Sequence, residues 1–182
     1  MQIDTVKLSP EEFELAVKSW FDGTGRKLTE YKSSHREKIQ GNDGIYEIDI
    51  RVAFEEFGAD FVVLVECKHH NNPIKREVVQ VLHDKIRSTG AHKGVLVATT
   101  DFQRGAIEYA DTHGIALIRI ANGQSSYRTK SLLQNGGPPP WVKIPKYVGW
   151  LTSLADNDRI RNSIVSPDHI EYLNQYLSSS ED

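Results

Sequence analysis

The sequence predicts an α/β protein built on a mixed central sheet, and three observations carry that expectation. Residues 45–68 contain an alternating strand and then an apolar run, separated by the turn residues Phe57-Gly58-Ala59-Asp60, the pattern of an antiparallel hairpin. Two further apolar runs, Lys93–Thr100 and Ile115–Ile120, alternate with two stretches of helical periodicity, Lys75–Ser88 and Gln103–His113. The order strand, helix, strand, helix, strand implies right-handed crossovers and a parallel part of the sheet.

In chain order, Ser9-Pro10-Glu11-Glu12 marks a helix start. Ser9 can cap the first turn, Pro10 suits the first helical position, and Glu12 completes a capping box. Phe13, Val17, Trp20 and Phe21 recur at helical spacing until Gly23 and Gly25 end the run. A polar stretch, with a strand expected near Leu28–Lys32, leads to the turn signal Gly41-Asn42-Asp43-Gly44. Ile48, Ile50 and Val52 then alternate with Glu47, Asp49 and Arg51, the period of a half-buried strand. Phe61–Val65 is apolar on both faces, as in a central strand covered by helices. Pro73 stops that strand, Val78, Val79, Leu82 and Ile86 give the next helix its apolar side, and Gly90 its C-cap. Thr99-Thr100-Asp101-Phe102 reads as the cap of the helix that follows.

Beyond Ala121 the pattern weakens. Gly136-Gly137-Pro138-Pro139-Pro140 is a linker or surface arm, Trp141 is expected to pack onto the core, and Pro167–Leu177 reads as a last helix. The expected layout is one domain over residues 1–120, with a C-terminal arm and helix over 121–182 packed on it.

With 38% hydrophobic and 26% charged residues, the 182-residue chain has an ordinary soluble composition, long enough for one core and too short for two large domains. No apolar stretch approaches the roughly 18 residues a membrane helix needs, and Met1-Gln2-Ile3-Asp4 does not begin a signal peptide. A cytoplasmic protein without a membrane partner is expected. The single cysteine excludes an intrachain disulfide, and no Cys/His spacing resembles a zinc site. A net charge of −3 speaks against coating of nucleic acid by bulk charge. Local basic groups remain, at Arg26, Lys27, Lys32, Arg36 and Lys38 and at Lys68, Lys75 and Arg76, each of which can equally be a solvated face.

The core fold does not account for the end of the second hairpin strand, Glu66-Cys67-Lys68. Side chains alternate across a strand, so Glu66 and Lys68 share one face and Cys67 takes the other. A register that sets Asp49 beside Glu66 brings two carboxylates and an ammonium together at the carboxyl end of a central strand, where open α/β sheets place ligands. Charges there are costly unless paired or bound to a metal. On these residues two readings stay open. One is an ion pair of Asp49 or Glu66 with Lys68 that only finishes the strand. The other is a site for metal-assisted phosphodiester hydrolysis. In that reading Asp49, Glu66 and the backbone carbonyl of Cys67 offer hard oxygen ligands to Mg²⁺. The ion polarises the phosphate and acidifies a bound water, and Lys68 orients or activates that water and helps offset charge developing on phosphorus. His69-His70 add no two-histidine metal site, because adjacent strand residues face opposite ways, although His70 could reach a phosphate.

The order "IDI", "VLVECK", a helix containing Gln80, and "GVLVATTDFQRGAIEYADTHGIALI" resembles the PD-(D/E)xK nuclease superfamily. More narrowly, residues 9–120 are similar to the catalytic domain of Mrr-type (type IV) restriction endonucleases. The resemblance implies a restriction-endonuclease-like three-layer α/β/α fold and a Mg²⁺- or Mn²⁺-dependent endonuclease acting on DNA. It implies that Asp49 is the hairpin aspartate that ligates the metal, and that Glu66 and Lys68 are the acid and lysine of the E-x-K motif. It further implies that Glu14 is the first-helix acid that many members bring to the metal or its waters. Gln80 matches a glutamine found near the metal or the phosphate on the helix after E-x-K. Read from the residues alone, Glu14 is a carboxylate at the edge of an apolar stripe, and Gln80 lies on a polar face with Arg76, Asp84 and Arg87.

Departures from the family pattern are also present. Glu66 stands where some Mrr-type proteins carry Gln, and no proline precedes Asp49. The chain length leaves no room for a separate winged-helix DNA-reading domain, so recognition of modified DNA is not expected of this chain alone. A repair or junction nuclease on the same fold is one alternative. A non-catalytic DNA- or partner-binding module is the other, and the intact Asp49, Glu66 and Lys68 set argues against it. A double-strand cut by one site per subunit would favour a homodimer.

Overall fold

The computed structural model describes residues 7–25, 28–123, 146–155 and 157–166. Helix α1 (Pro10–Thr24) begins with both halves of the capping box: the Glu12 N–H donates to Ser9 Oγ, and the Ser9 N–H donates to Glu12 Oε2 at 2.7 Å. Its buried residues Phe13, Val17, Trp20 and Phe21 pack on one face of the sheet, against Ile50, Val52, Val63 and Val65 among others. Full burial of each such side chain is worth about 1.5–3 kcal/mol.

Among the described residues the sheet has seven strands in simple sequence order: β1 (Thr29–Gln40), β2 (Ile45–Glu56), β3 (Ala59–Lys68), β4 (Lys93–Ala98), β5 (Ile115–Asn122), β6 (Tyr147–Leu154) and β7 (Ile160–Val165). The centre, β3–β4–β5, is parallel. Its connections run through α2 (Arg76–Thr89) and α3 (Arg104–Thr112). Both helices cover the face opposite α1, where Val79, Leu82, Ala106 and Ile107 meet Leu64, Leu96, Ile115 and Leu117. The result is three layers, α/β/α, on a mixed sheet.

The strands differ from expectation in three places. β1 runs for 12 residues instead of the few expected near Leu28–Lys32. It is an edge strand with no fully buried side chain, so it leaves no apolar alternation to read. Two strands that the sequence did not predict, β6 and β7, extend the sheet antiparallel beyond β5. Val148, Trp150, Leu151 and Val165 are buried there. Thr99 and Thr100 do not cap α3, whose N-cap is Gln103. Thr99 Oγ1 instead accepts from the His70 N–H and donates to the His70 carbonyl, and Thr100 Oγ1 donates to the Asn72 carbonyl. They tie down the loop that leaves β3. The expected linker at Gly136–Pro140, Trp141, the helix at Pro167–Leu177 and the Arg26-Lys27 pair lie outside the described residues.

The β2–β3 turn is the two-residue connection Phe57-Gly58, with φ of +54° and +75°. Positive φ at both positions suits a hairpin turn whose twist matches the strands. It fixes the register that carries Val52 opposite Val63 and Ile50 opposite Val65.

Candidate active site

The site forms where β2 parts from β3. Extending the register would set Asp49 opposite Glu66, but backbone pairing ends at Ile50–Val65. On the other side, no pair joins Asp49 to Arg36 between the flanking pairs His35–Ile50 and Glu37–Ile48. Simple alternation puts Ile48 and Ile50 on one face, yet Ile50 packs under α1 and Ile48 under α2 and α3. The strand therefore turns over at Asp49, between these two fully buried anchors. The Asp49 side chain fills the gap: its Oδ2 accepts from the Cys67 N–H at 2.7 Å. The N–H and C=O of a strand residue face the same side, so the Cys67 carbonyl opens onto that gap too. The Cys67 side chain lies in the core on the α1 side, and burial pushes its thiol pKa up, with the Asp49 charge adding to the effect.

Glu66 points to the opposite face and is 7% exposed. Lys68 Nζ donates to its Oε1 at 2.6 Å. Lys85, from α2, donates to its Oε2 at 2.9 Å and to the Glu47 carbonyl at 3.3 Å. Burial alone would raise the Glu66 pKa, but the Lys68 and Lys85 ammonium groups outweigh it and hold the carboxyl below its ordinary range. Burial works against the charged form of Lys68 as well, and the Glu66 charge prevails to raise its pKa. Asp49 behaves oppositely. Burial and then the negative charge of Glu66 raise its pKa, offset only in part by the Cys67 N–H and Lys68. Two carboxylates thus share one electrostatic site, with Asp49 the less stabilised.

Glu14, on α1, turns its carboxylate to β1. Oε2 lies 2.7 Å from His35 Nε2 and accepts from Arg36 Nε at 2.9 Å. Neighbouring strand residues normally point apart, and Arg36, with φ of +51°, adopts a left-handed backbone that brings both to the same carboxylate. Burial would raise the Glu14 pKa, but Arg36 and His35 lower it. The Glu14 charge adds, as the smallest of the influences on Asp49, to the rise in that residue's pKa. Gln80 is exposed on α2. Phe13 packs edge-on against His69 at 5.7 Å between ring centroids, linking α1 to the segment after Lys68.

The structure therefore brings together Asp49, Glu66, Cys67 and Lys68, while Glu14 is paired with His35 and Arg36 of β1 and Gln80 is exposed on α2. Lys85 went unrecognised in the sequence, because a lysine between Asp84 and Ile86 reads as a solvated helix residue. Among the described residues, no group of three His, Cys, Asp or Glu side chains is arranged to hold a metal. The donor chemistry nevertheless fits a hard divalent cation. Asp49 and Glu66 supply carboxylate oxygens, the Cys67 carbonyl faces the same gap, and a cation would relieve the repulsion that raises Asp49.

Residues 5–123 match the Mrr_cat family model, described as restriction endonuclease. The chain belongs to the restriction endonuclease family. That family generally uses divalent metal ions. No curated protein matches the chain. Among solved structures, the chain is similar to AF1548, a protein of unknown function, at 20% identity and a TM-score of 0.47, over 59% of this chain and 55% of that one. It is also similar to the DNA modification-dependent restriction endonuclease AspBHI, at 21% identity and TM-score 0.41, over 61% of this chain and 29% of that one. A third is the MspJI restriction endonuclease in complex with a 27-mer oligonucleotide, at 21% identity and TM-score 0.40, over 59% and 25% of the two chains. The chain spans about half the length of the first of these and less than a third of the other two.

Proposed function

We propose that this restriction endonuclease domain is a metal-dependent DNA endonuclease of the Mrr type, with Asp49, Glu66 and Lys68 as its catalytic set. The observation that carries the reading is the break at Asp49. There the Asp49 carboxylate meets the Cys67 amide at 2.7 Å, beside a buried Glu66 that holds Lys68 at 2.6 Å. A strand that merely needed finishing would require neither a second buried carboxylate nor the energetic cost of Asp49 beside it.

In this reading Asp49, Glu66 and the Cys67 carbonyl hold Mg²⁺ or Mn²⁺, and Glu14 engages the ion or its waters. The bound ion supplies a polarised phosphate and an acidified water. Lys68, 27% exposed at its side chain, can leave Glu66 for substrate. There it can orient or activate the attacking water and help offset charge developing on phosphorus. Gln80, exposed on α2, would act near the metal or on a phosphate. One site cuts one strand, so a double-strand break would take two chains, as a homodimer provides.

The test is cleavage of plasmid DNA by the purified chain with Mg²⁺ or Mn²⁺. Asp49→Asn and Lys68→Ala should each lower the rate by about 10²–10³-fold or more. Metal-dependent cleavage that survives Lys68→Ala would overturn the assignment.

A further inference from the structure

Each oxygen of Glu66 has its own ammonium group, and the two lysines are not equivalent. Lys68 leaves the same strand two residues on and is 27% exposed at its side chain. Lys85 comes from α2, is 16% exposed, and is fastened a second time by the Glu47 carbonyl. One ammonium would be enough to finish the strand, whereas committing a second from a helix costs desolvation and side-chain entropy. Both oxygens of Glu66 are thus answered by ammonium groups before any divalent ion enters.

We infer that Lys85 is a built-in counter-cation for Glu66 that competes with a divalent metal and keeps the metal affinity of the DNA-free protein low. This rests on the reading of Asp49 and Glu66 as metal ligands. Lys68 can swing toward solvent or a phosphate when an ion arrives. Lys85 cannot leave without abandoning the Glu47 carbonyl, so its charge stays one carboxylate away from the ion. At an effective dielectric constant of about 20, that repulsion weakens binding by more than about tenfold. The opposing benefit, a Glu66 rotamer already fixed by Lys85, is worth about tenfold at most. Repulsion therefore sets the sign. A DNA phosphate would supply the missing negative charge, and linkage then requires metal and DNA to favour one another equally.

The experiment is calorimetric titration of the full chain with Mn²⁺ in the absence of DNA, with thermal melts in the same buffer. Lys85→Met and Lys85→Gln should each bind Mn²⁺ at least about tenfold more tightly than the parent, while Lys85→Arg, which keeps the charge, should stay within about threefold. A merely structural Lys85 would lower the melting temperature of the neutral variants without tightening binding. The inference is overturned if neither neutral variant binds more tightly while Asp49→Asn abolishes the signal, an outcome that leaves the metal site itself standing. Binding unchanged in Asp49→Asn would instead overturn the metal-site reading.

Discussion

Asp49 and Glu66 differ because of what surrounds them. Glu66 has an ammonium on each oxygen and is held ionised, whereas Asp49 has one backbone N–H and a like charge next door. A carboxyl whose pKa rises on folding is destabilising once ionised, so at neutral pH Asp49 costs stability. Asn keeps an oxygen to accept from the Cys67 N–H and removes the charge. Asp49→Asn should therefore melt no lower than the parent at neutral pH while losing cleavage, the trade-off expected of a site shaped for function. A melting temperature well below the parent's would mean that Asp49 is a structural residue. The alternation rule placed Glu66, Lys68 and Cys67 on their proper faces from the sequence. Lys85 was not legible in the same way, because only the packing of α2 over β3 shows which helix lysine meets Glu66.

At the scale of elements, α1 and β1 are joined at the end of α1 by Asp22. Its carboxylate accepts from Ser33 Oγ at 2.5 Å, Lys18 Nζ at 2.9 Å and the Tyr31 hydroxyl at 3.1 Å. Burial would raise its pKa, but the hydrogen bonds from Ser33, Lys18 and Tyr31 outweigh it and lower it. A lowered pKa means the stabilisation is complete above the ordinary aspartate value and is lost as pH falls through the folded-state value. The melting temperature of the parent should thus fall more steeply than that of Asp22→Asn between about pH 5 and pH 3. Parallel curves would show that this junction adds no acid lability. Helices were the more legible elements, since capping residues and a one-sided apolar stripe are local signals. β1 was legible only as a short stub, because Lys32, Arg36 and Lys38 on an edge strand show no buried face. β6 and β7 were missed because "YVGWLTSL" follows a Pro-rich segment and lacks the neighbours that would mark it as a strand.

Over the whole molecule, a parallel centre lies between two antiparallel wings, and the candidate site sits at the seam between the centre and the first wing. The family match ends at residue 123, so β6 and β7 lie beyond it. Leu151 and Val165 nonetheless belong to the same core cluster as Phe13 and Ile50. A chain ending at Gly123 would expose the apolar β5 edge at Leu117, Ile118 and Ile120, and it should aggregate or melt far below the parent. A soluble truncated chain with the parent's melting temperature would show the second wing to be dispensable. No helix among the described residues is long and apolar enough to cross a membrane. The proposed chemistry requires Asp49 of β2 and Glu66 at the end of β3 to be metal ligands. Anomalous diffraction from crystals soaked in Mn²⁺ tests this most directly. A peak bound by Asp49 and Glu66, with Lys68 drawn away from Glu66, is the expected result, and Mn²⁺ bound elsewhere while both lysines still hold Glu66 would exclude the metal site.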